Sequence, residues 1–216
     1  EFLPISSSSH LIIFSIFTDF ENQSLSLDIS LHIGSFLAVI TYFHKDLRNF
    51  INNKIFFFKI LIASLPIMSC GFFLIQTGLI EKIRNIEVIG WTTLIFGILL
   101  YVSDKFKLEN KVDSNFNYKS AIFIGLFQIL SLIPGVSRSG ISITASRLLG
   151  FKRFDAAKIS FLLSIPTLAA VSAFGIKNLI FLEDANISAL NLISIFLSFI
   201  FSLITINYFL KYIKKF

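Results

Sequence analysis

The chain has 216 residues, of which 55% are hydrophobic and only 15% charged, and a mean hydropathy of +0.80; typical soluble proteins carry about 25% charged residues, so a soluble domain is excluded. The net charge of +6 would point to nucleic acid in a soluble protein, but here the charges sit in short loops between apolar runs, which excludes that partner. A single cysteine, Cys70, excludes an internal disulfide and a cysteine-based metal site, and its apolar surroundings make it a buried small hydrophobe.

These values indicate an all-α polytopic membrane protein, a helical bundle forming one domain over residues 1–216. No signal peptide is visible, and the chain opens at Glu1 in mid-motif, which reads as a fragment lacking its natural N-terminus. The opening stretch, Glu1 to His10, is polar and serine-rich. Leu11 to Phe17 is apolar but falls short of the roughly 20 helical residues a bilayer requires, so it reads as half of a re-entrant hairpin. Asp19 to Asp28 is acidic and carries no Lys or Arg. Ile29 to Phe43 is a crossing interrupted by His32 and Gly34, read as helix-packing positions with lining of the site cavity as the alternative; His44 to Lys54 is basic, with His44 solvated or interfacial. Ile55 to Ile80 spans, with Pro66 and Gly71 as kinks. Glu81 to Glu87 is a mixed-charge turn, and Val88 to Val102 spans back with Trp91 at an interfacial position.

Asp104 to Lys119 is the longest charged loop. Ala121 to Ile133 and Ile141 to Leu149 flank the break Pro134-Gly135-Val136-Ser137-Arg138-Ser139-Gly140. Each flank is too short to span, so a second re-entrant hairpin is expected. Arg147, near its end, is expected to snorkel to the headgroups. Gly150 to Lys158 is basic, Ile159 to Ile176 spans with Pro166, Lys177 to Asn186 turns, and Ile187 to Tyr212 spans to a basic end.

The positive-inside rule tests this layout. Fifteen of the 19 Lys and Arg fall on one side, in the 44–59, 104–119, 147–158 and 211–215 regions. The other side holds Lys82, Arg84 and Lys177, and the remaining cation is Arg138 in the break. The second hairpin then enters from the basic, cytoplasmic side and the first from outside. Two polar breaks arriving from opposite faces are what an inverted-topology repeat produces, with halves at roughly residues 1–103 and 118–216 and the site at their interface.

Together the two breaks offer the Glu1 carboxylate, the hydroxyls of Ser6 to Ser9, the His10 imidazole, the Arg138 guanidinium, and Ser137, Ser139 and Ser142. An arginine at membrane depth demands an anionic partner, and a guanidinium matches phosphate oxygens in a bidentate fork. Broken helix ends add N–H dipoles for the same anion. A carboxylate beside phosphate implies a divalent cation between them, Mg²⁺ or Ca²⁺, with Glu1 as ligand. His10 is placed to move a proton for a serine or a leaving group. These parts suit phosphoryl transfer. Competing readings are helix packing for the serines, a structural Arg138–Glu1 pair, and a transporter or flippase that recognises a lipid phosphate without cleaving it.

The residues resemble a known family. Glu1 to Leu11 and Pro134 to Gly140 are similar to the two signature stretches of bacterial undecaprenyl-diphosphate phosphatases of the bacitracin-resistance type. The likeness extends through His32 to Val39, against a Gln-Leu-Gly-x-x-Leu-Ala-Val stretch, and through Phe151 to Pro166. It implies a divalent-metal-dependent hydrolase of the bacterial cytoplasmic (inner) membrane, with its site facing outward. Such an enzyme converts undecaprenyl diphosphate to undecaprenyl phosphate and phosphate, recycling the carrier for cell-wall (peptidoglycan) synthesis. Its expected partners are the polyprenyl diphosphate, membrane lipids and, as an open option, a second copy in a homodimer. By motif position Glu1 matches the second acid of a Glu/Gln-x-x-x-Glu pair, Ser7 the nucleophile, His10 the motif histidine, and Arg138 the phosphate-binding arginine; Ser6, Ser137, Ser139 and Ser142 complete the expected phosphate contacts. The first acid of the pair would lie four residues before Glu1. Ser8-Ser9 stands where the family has Thr-Gly, and His32 where it has Gln.

Overall fold

A computed structural model of the chain describes residues 1–7, 9–10, 12–13, 25–52, 54–77, 85–106, 109–181 and 189–215. Most of the segments 11–17 and 19–28, and parts of the turns 81–87 and 177–186, lie outside the described residues, as do Ser8, Lys82, Arg84 and Lys107.

Apart from one bridge between Asn110 and Phe151, the described residues form helices, turns and loops. In chain order the helices are α1 Leu25–Tyr42, α2 His44–Asn52, α3 Lys54–Thr77, α4 Ile86–Asp104, α5 Val112–Asn115, α6 Tyr118–Ile129, α7 Arg138–Leu148, α8 Arg153–Phe181 and α9 Ala189–Ile213. A 3₁₀ turn, Leu130–Leu132, tightens the end of α6. Four of them, α3, α4, α8 and α9, are long and apolar enough to cross a membrane, and they match four of the predicted spans. The fifth predicted span is α1, whose 18 residues measure about 27 Å at ~1.5 Å per residue.

Local chemistry accounts for several ends. Asn85 accepts from Val88 N at 2.8 Å and starts α4; Asn117 accepts from Ser120 N at 2.9 Å and starts α6. Both fill a donor that the first helical turn leaves open. Pro66 and Pro166 lie inside α3 and α8, where each removes one helical hydrogen bond.

The described residues bury an apolar cluster that includes Phe2, Ile124, Phe151, Phe161 and Leu163, and they also expose large apolar side chains, as a lipid environment allows. Trp91, Ile95, Ile98 and Tyr101 on α4 and Phe196, Phe201 and Tyr208 on α9 are exposed. By contrast α7, which carries three serines, a threonine and two arginines, is buried from Ser139 through Arg147. Three of its four hydroxyls bond to the helix itself: Ser142 to the Arg138 carbonyl, Thr144 to Gly140 and Ser146 to Ser142, each at 2.8 Å. Helix α7 is packed by α4, α6 and α8, while α8 also meets α1 and α3, and α1 lies along α9. The α1–α9 approach is close because Gly34 leaves no side chain; a Cβ there would overlap the backbone of Ile195. That bears out the packing role expected of Gly34.

Arg147 departs from expectation. It is 4% exposed, and its guanidinium donates to the carbonyls of Phe151 (2.9 Å) and Asp104 (3.0 Å), with the Asp104 carboxylate 3.5 Å from Nε. It does not snorkel, because the turn Leu149–Phe151 folds back over it and offers carbonyl acceptors that the membrane core lacks. Gly150 makes that turn at φ 93°, and Asn110 Nδ2 closes it on the Leu149 carbonyl at 3.1 Å.

Candidate active site

The two polar breaks, more than 130 residues apart in sequence, meet in the structure. The second is shaped by Gly135 at φ 95°, a conformation glycine adopts without the steric cost of a Cβ. It lies tightly against α4: the Thr92 hydroxyl is 2.6 Å from the Pro134 carbonyl, and Thr93 donates to the Gly135 carbonyl at 3.3 Å. Ser137 then caps α7, its hydroxyl accepting from Gly140 N at 3.2 Å, so Arg138 is the first residue of the helix.

The first break is tied to the second by its backbone. Ser139 Oγ donates to the Leu3 carbonyl at 2.6 Å and lies in a chain with Ser137 Oγ at 3.0 Å. Phe2 is buried and stands edge-on to Phe161 of α8, with ring centroids 5.3 Å apart. These contacts aim Glu1 inward. Arg138 Nη2 donates to Glu1 Oε2 at 2.8 Å, and Nη1 donates to Thr167 Oγ1 at 2.6 Å. The other carboxylate oxygen, Glu1 Oε1, accepts from Ser7 Oγ at 3.2 Å and lies 3.5 Å from His32 Nδ1.

His10 Nδ1 is 2.7 Å from the Ser6 carbonyl. A carbonyl only accepts, so Nδ1 carries the proton and Nε2 is left as the basic nitrogen of the neutral ring. A cavity of about 570 Å³ joins these groups; Glu1, Ser7, His10, Asp28 and His32 line its polar part, and Leu31, Leu197 and Phe201 are among its apolar lining.

The structure thus brings Glu1, Ser7 and Arg138 into direct or shared contact; Glu1, Ser7 and His10 line the cavity, and Arg138 stands behind Glu1 rather than in the lining. The remaining serines hold the scaffold. Ser6 is buried and accepts from Ser9 Oγ at 2.8 Å; Ser139 holds Leu3; Ser142 back-bonds within α7. None of these three, nor Ser137, lines the cavity. Reading the sequence missed two further residues. Thr167 fixes the guanidinium from α8, and it follows Pro166 directly. Asp28 lines the cavity. For His32 the structure selects the cavity over helix packing: it faces Glu1. Asp28 and His32 stand four apart on one face of α1, a spacing legible in the sequence.

The family model described as "Bacitracin resistance protein BacA" matches residues 1–216. The chain belongs to this family. Among curated relatives, it is 51% identical over 217 residues to the undecaprenyl-diphosphatase of Pelagibacter ubique (strain HTCC1062), covering 100% of this chain and 84% of the relative. The undecaprenyl-diphosphatases of Jannaschia sp. (strain CCS1) and Saccharophagus degradans (strain 2-40) are 37% and 40% identical, each covering 100% of this chain and 85% of the relative. The family match and the four membrane-length helices agree: this is a multi-pass membrane protein.

Proposed function

We propose that the chain hydrolyses undecaprenyl diphosphate to undecaprenyl phosphate and inorganic phosphate, regenerating a lipid carrier for cell-wall synthesis. The observation that carries this reading is the meeting of Arg138 and Glu1 at 2.8 Å, beside a hydroxyl and an imidazole on one cavity. A transporter would need the anion-holding arginine but not Ser7 and His10 around it.

In this reading Arg138, held by Thr167, receives the terminal phosphate. Ser7 Oγ attacks the terminal phosphorus, the bond to the bridging oxygen breaks, and undecaprenyl phosphate leaves. The Ser7 proton passes to His10 Nε2. His10 gives that proton to the departing phosphate oxygen; water then cleaves the phosphoserine, its hydroxide joining the phosphate and its proton returning through His10 to Ser7 Oγ. The single hydrogen bond of Ser7 Oγ to Glu1 Oε1 also favours a second route, in which water attacks directly and Ser7 only binds phosphate.

Among the described residues no three His, Cys, Asp or Glu side chains converge on one point. A Mg²⁺ or Ca²⁺ bound partly through substrate phosphate asks for only one or two protein carboxylates, and Glu1 presents a hard oxygen donor on the cavity, so the residues fit. Glu1 would hold it, and the ion would supply charge neutralisation between carboxylate and phosphate.

We further read α6 and α7 as a re-entrant hairpin within an inverted repeat. Their 12 and 11 residues reach about 18 and 16 Å at ~1.5 Å per residue, against a hydrocarbon core of about 30 Å. We read the protein as lying in the cytoplasmic membrane with the site opening outward; the gathering of basic loops on one side supports that orientation.

The test is release of inorganic phosphate from undecaprenyl diphosphate in detergent, with and without a chelator. Metal-dependent release abolished by Arg138→Ala is expected. Loss of at least about 10³-fold in Ser7→Ala supports the serine route, and retention of most activity selects the water route. Movement of intact lipid between leaflets without phosphate release would overturn the assignment.

A further inference from the structure

We propose that His32 is a metal ligand, so that the cation held beside Glu1 has one imidazole nitrogen in its coordination sphere. This rests on the metal-dependent reading above. His32 Nδ1 is buried and has no hydrogen-bond partner. It faces Glu1 Oε1 at 3.5 Å. A charge-assisted hydrogen bond between a ring nitrogen and a carboxylate would close to about 2.7–2.9 Å, so this pair is not sharing a proton. Two ligand atoms each about 2.1 Å from one ion, at a tetrahedral angle, lie about 3.4 Å apart. The observed 3.5 Å separation matches the spacing of two donors on one ion.

The donors are also held. Arg138 fixes the far carboxylate oxygen of Glu1 at 2.8 Å. On the other side, α1 is locked to α9 near His32: Ser35 Oγ lies 3.1 Å from both Ser198 Oγ and Ser202 Oγ, and Ser198 Oγ donates to the Leu31 carbonyl at 2.7 Å. Ser7 Oγ, 3.2 Å from the same Glu1 oxygen, adds a neutral oxygen nearby. A mixed nitrogen and oxygen set shifts preference from Ca²⁺ and Mg²⁺ toward ions that accept imidazole, such as Mn²⁺ and Zn²⁺.

The probe is Mn²⁺ added to the chain prepared without a histidine tag, read by electron spin echo envelope modulation. The sequence holds three histidines, His10, His32 and His44, so every imidazole source is testable. Imidazole ¹⁴N modulation is expected in the unmodified chain and in His10→Gln and His44→Gln. In His32→Gln it should vanish, with Mn²⁺ binding weakened by about 100-fold, since loss of even an outer-shell partner costs about 10–100-fold. Absence of ¹⁴N modulation in the unmodified chain overturns the proposal, as does modulation that survives in His32→Gln and disappears in His10→Gln. Phosphate release is measured on the same samples. Metal-dependent release without ¹⁴N coupling refutes His32 as ligand and leaves the phosphatase reading standing; absence of release refutes that reading itself.

Discussion

Thr167→Val removes one hydroxyl and nearly nothing else, and it tests whether Arg138 works as a positioned fork. The Thr167 hydroxyl is 5% exposed and accepts from Arg138 Nη1 at 2.6 Å, and its own proton points to the carbonyls of Leu163 or Ser164. Valine keeps the volume and the branched Cβ but offers Nη1 no acceptor. A hydrogen bond to a charged group contributes about 1.5–3 kcal/mol. Arg138 is 18% exposed, so water partly replaces the lost partner, and about 1.5–2 kcal/mol is the appropriate range. At ~1.4 kcal/mol per decade this is a fall of roughly 10- to 30-fold in kcat/KM. The assay is phosphate release from undecaprenyl diphosphate across a substrate series, alongside a thermal melt. Thr167→Ser, which retains the acceptor, should recover most of the loss. If Thr167→Val stays within about twofold of the parent while folded, Arg138 is held by Glu1 alone and the argument fails.

Two further outcomes follow from the scaffold. In Gly135→Ala the new Cβ would overlap the Thr92 hydroxyl and lie 2.8 Å from the Ile89 carbonyl, in a backbone at φ 95°; a lowered melting temperature and weakened activity are expected, with only partial relief from an added Thr92→Ala, because the Ile89 carbonyl remains. Arg147→Ala leaves the carbonyls of Asp104, Phe106 and Phe151 without their donor, so stability should fall by at least about 1–3 kcal/mol, seen as a lower melting temperature, while KM of the remaining folded enzyme is unchanged because Arg147 does not touch the cavity.

The bundle was legible because membrane crossings announce themselves by length and hydropathy: α3, α4, α8 and α9 coincide with apolar runs that need no partner to be recognised. The break at Pro134 to Gly140 was equally plain, since proline, two glycines and an arginine have no business in hydrocarbon unless protein surrounds them. The expected roles diverged where a residue's partner lies far off in sequence. Arg147 looked like any basic residue at a helix end; its acceptors at Asp104 and Phe151 arise from a turn and a neighbouring helix end that no local pattern encodes. Serines illustrate the same limit. Ser7 and Ser139 are alike in composition, yet one faces a cavity and the other holds the Leu3 carbonyl, and only the crossing of the two breaks decides which. Thr167 escaped notice because a threonine in a spanning helix normally bonds to its own backbone, which it does here as well.

The Glu1–Arg138 pair supplies a physical argument for the cation proposed above. A largely buried ion pair contributes little net stability, because the cost of desolvating two charges offsets their attraction. What it does provide is registry: the guanidinium and the carboxylate cannot close to 2.8 Å unless both breaks are in place, and there the two charges offset each other. A phosphate arriving at Arg138 competes with Glu1 for the same guanidinium. The displaced carboxylate then faces a phosphate oxygen, and two like charges about 4 Å apart repel by about 4 kcal/mol at an effective dielectric of ~20. That repulsion has few remedies within the described residues: Ser7 is neutral, and His10 has its Nδ1–H on Ser6. A divalent cation between Glu1 and the phosphate removes the conflict, and the unpartnered His32 nitrogen lies beside the carboxylate oxygen that Arg138 does not occupy. On this reasoning substrate and metal bind cooperatively, each weak in the absence of the other, and the pair that closes the empty site is the same pair that makes its ligands mutually dependent.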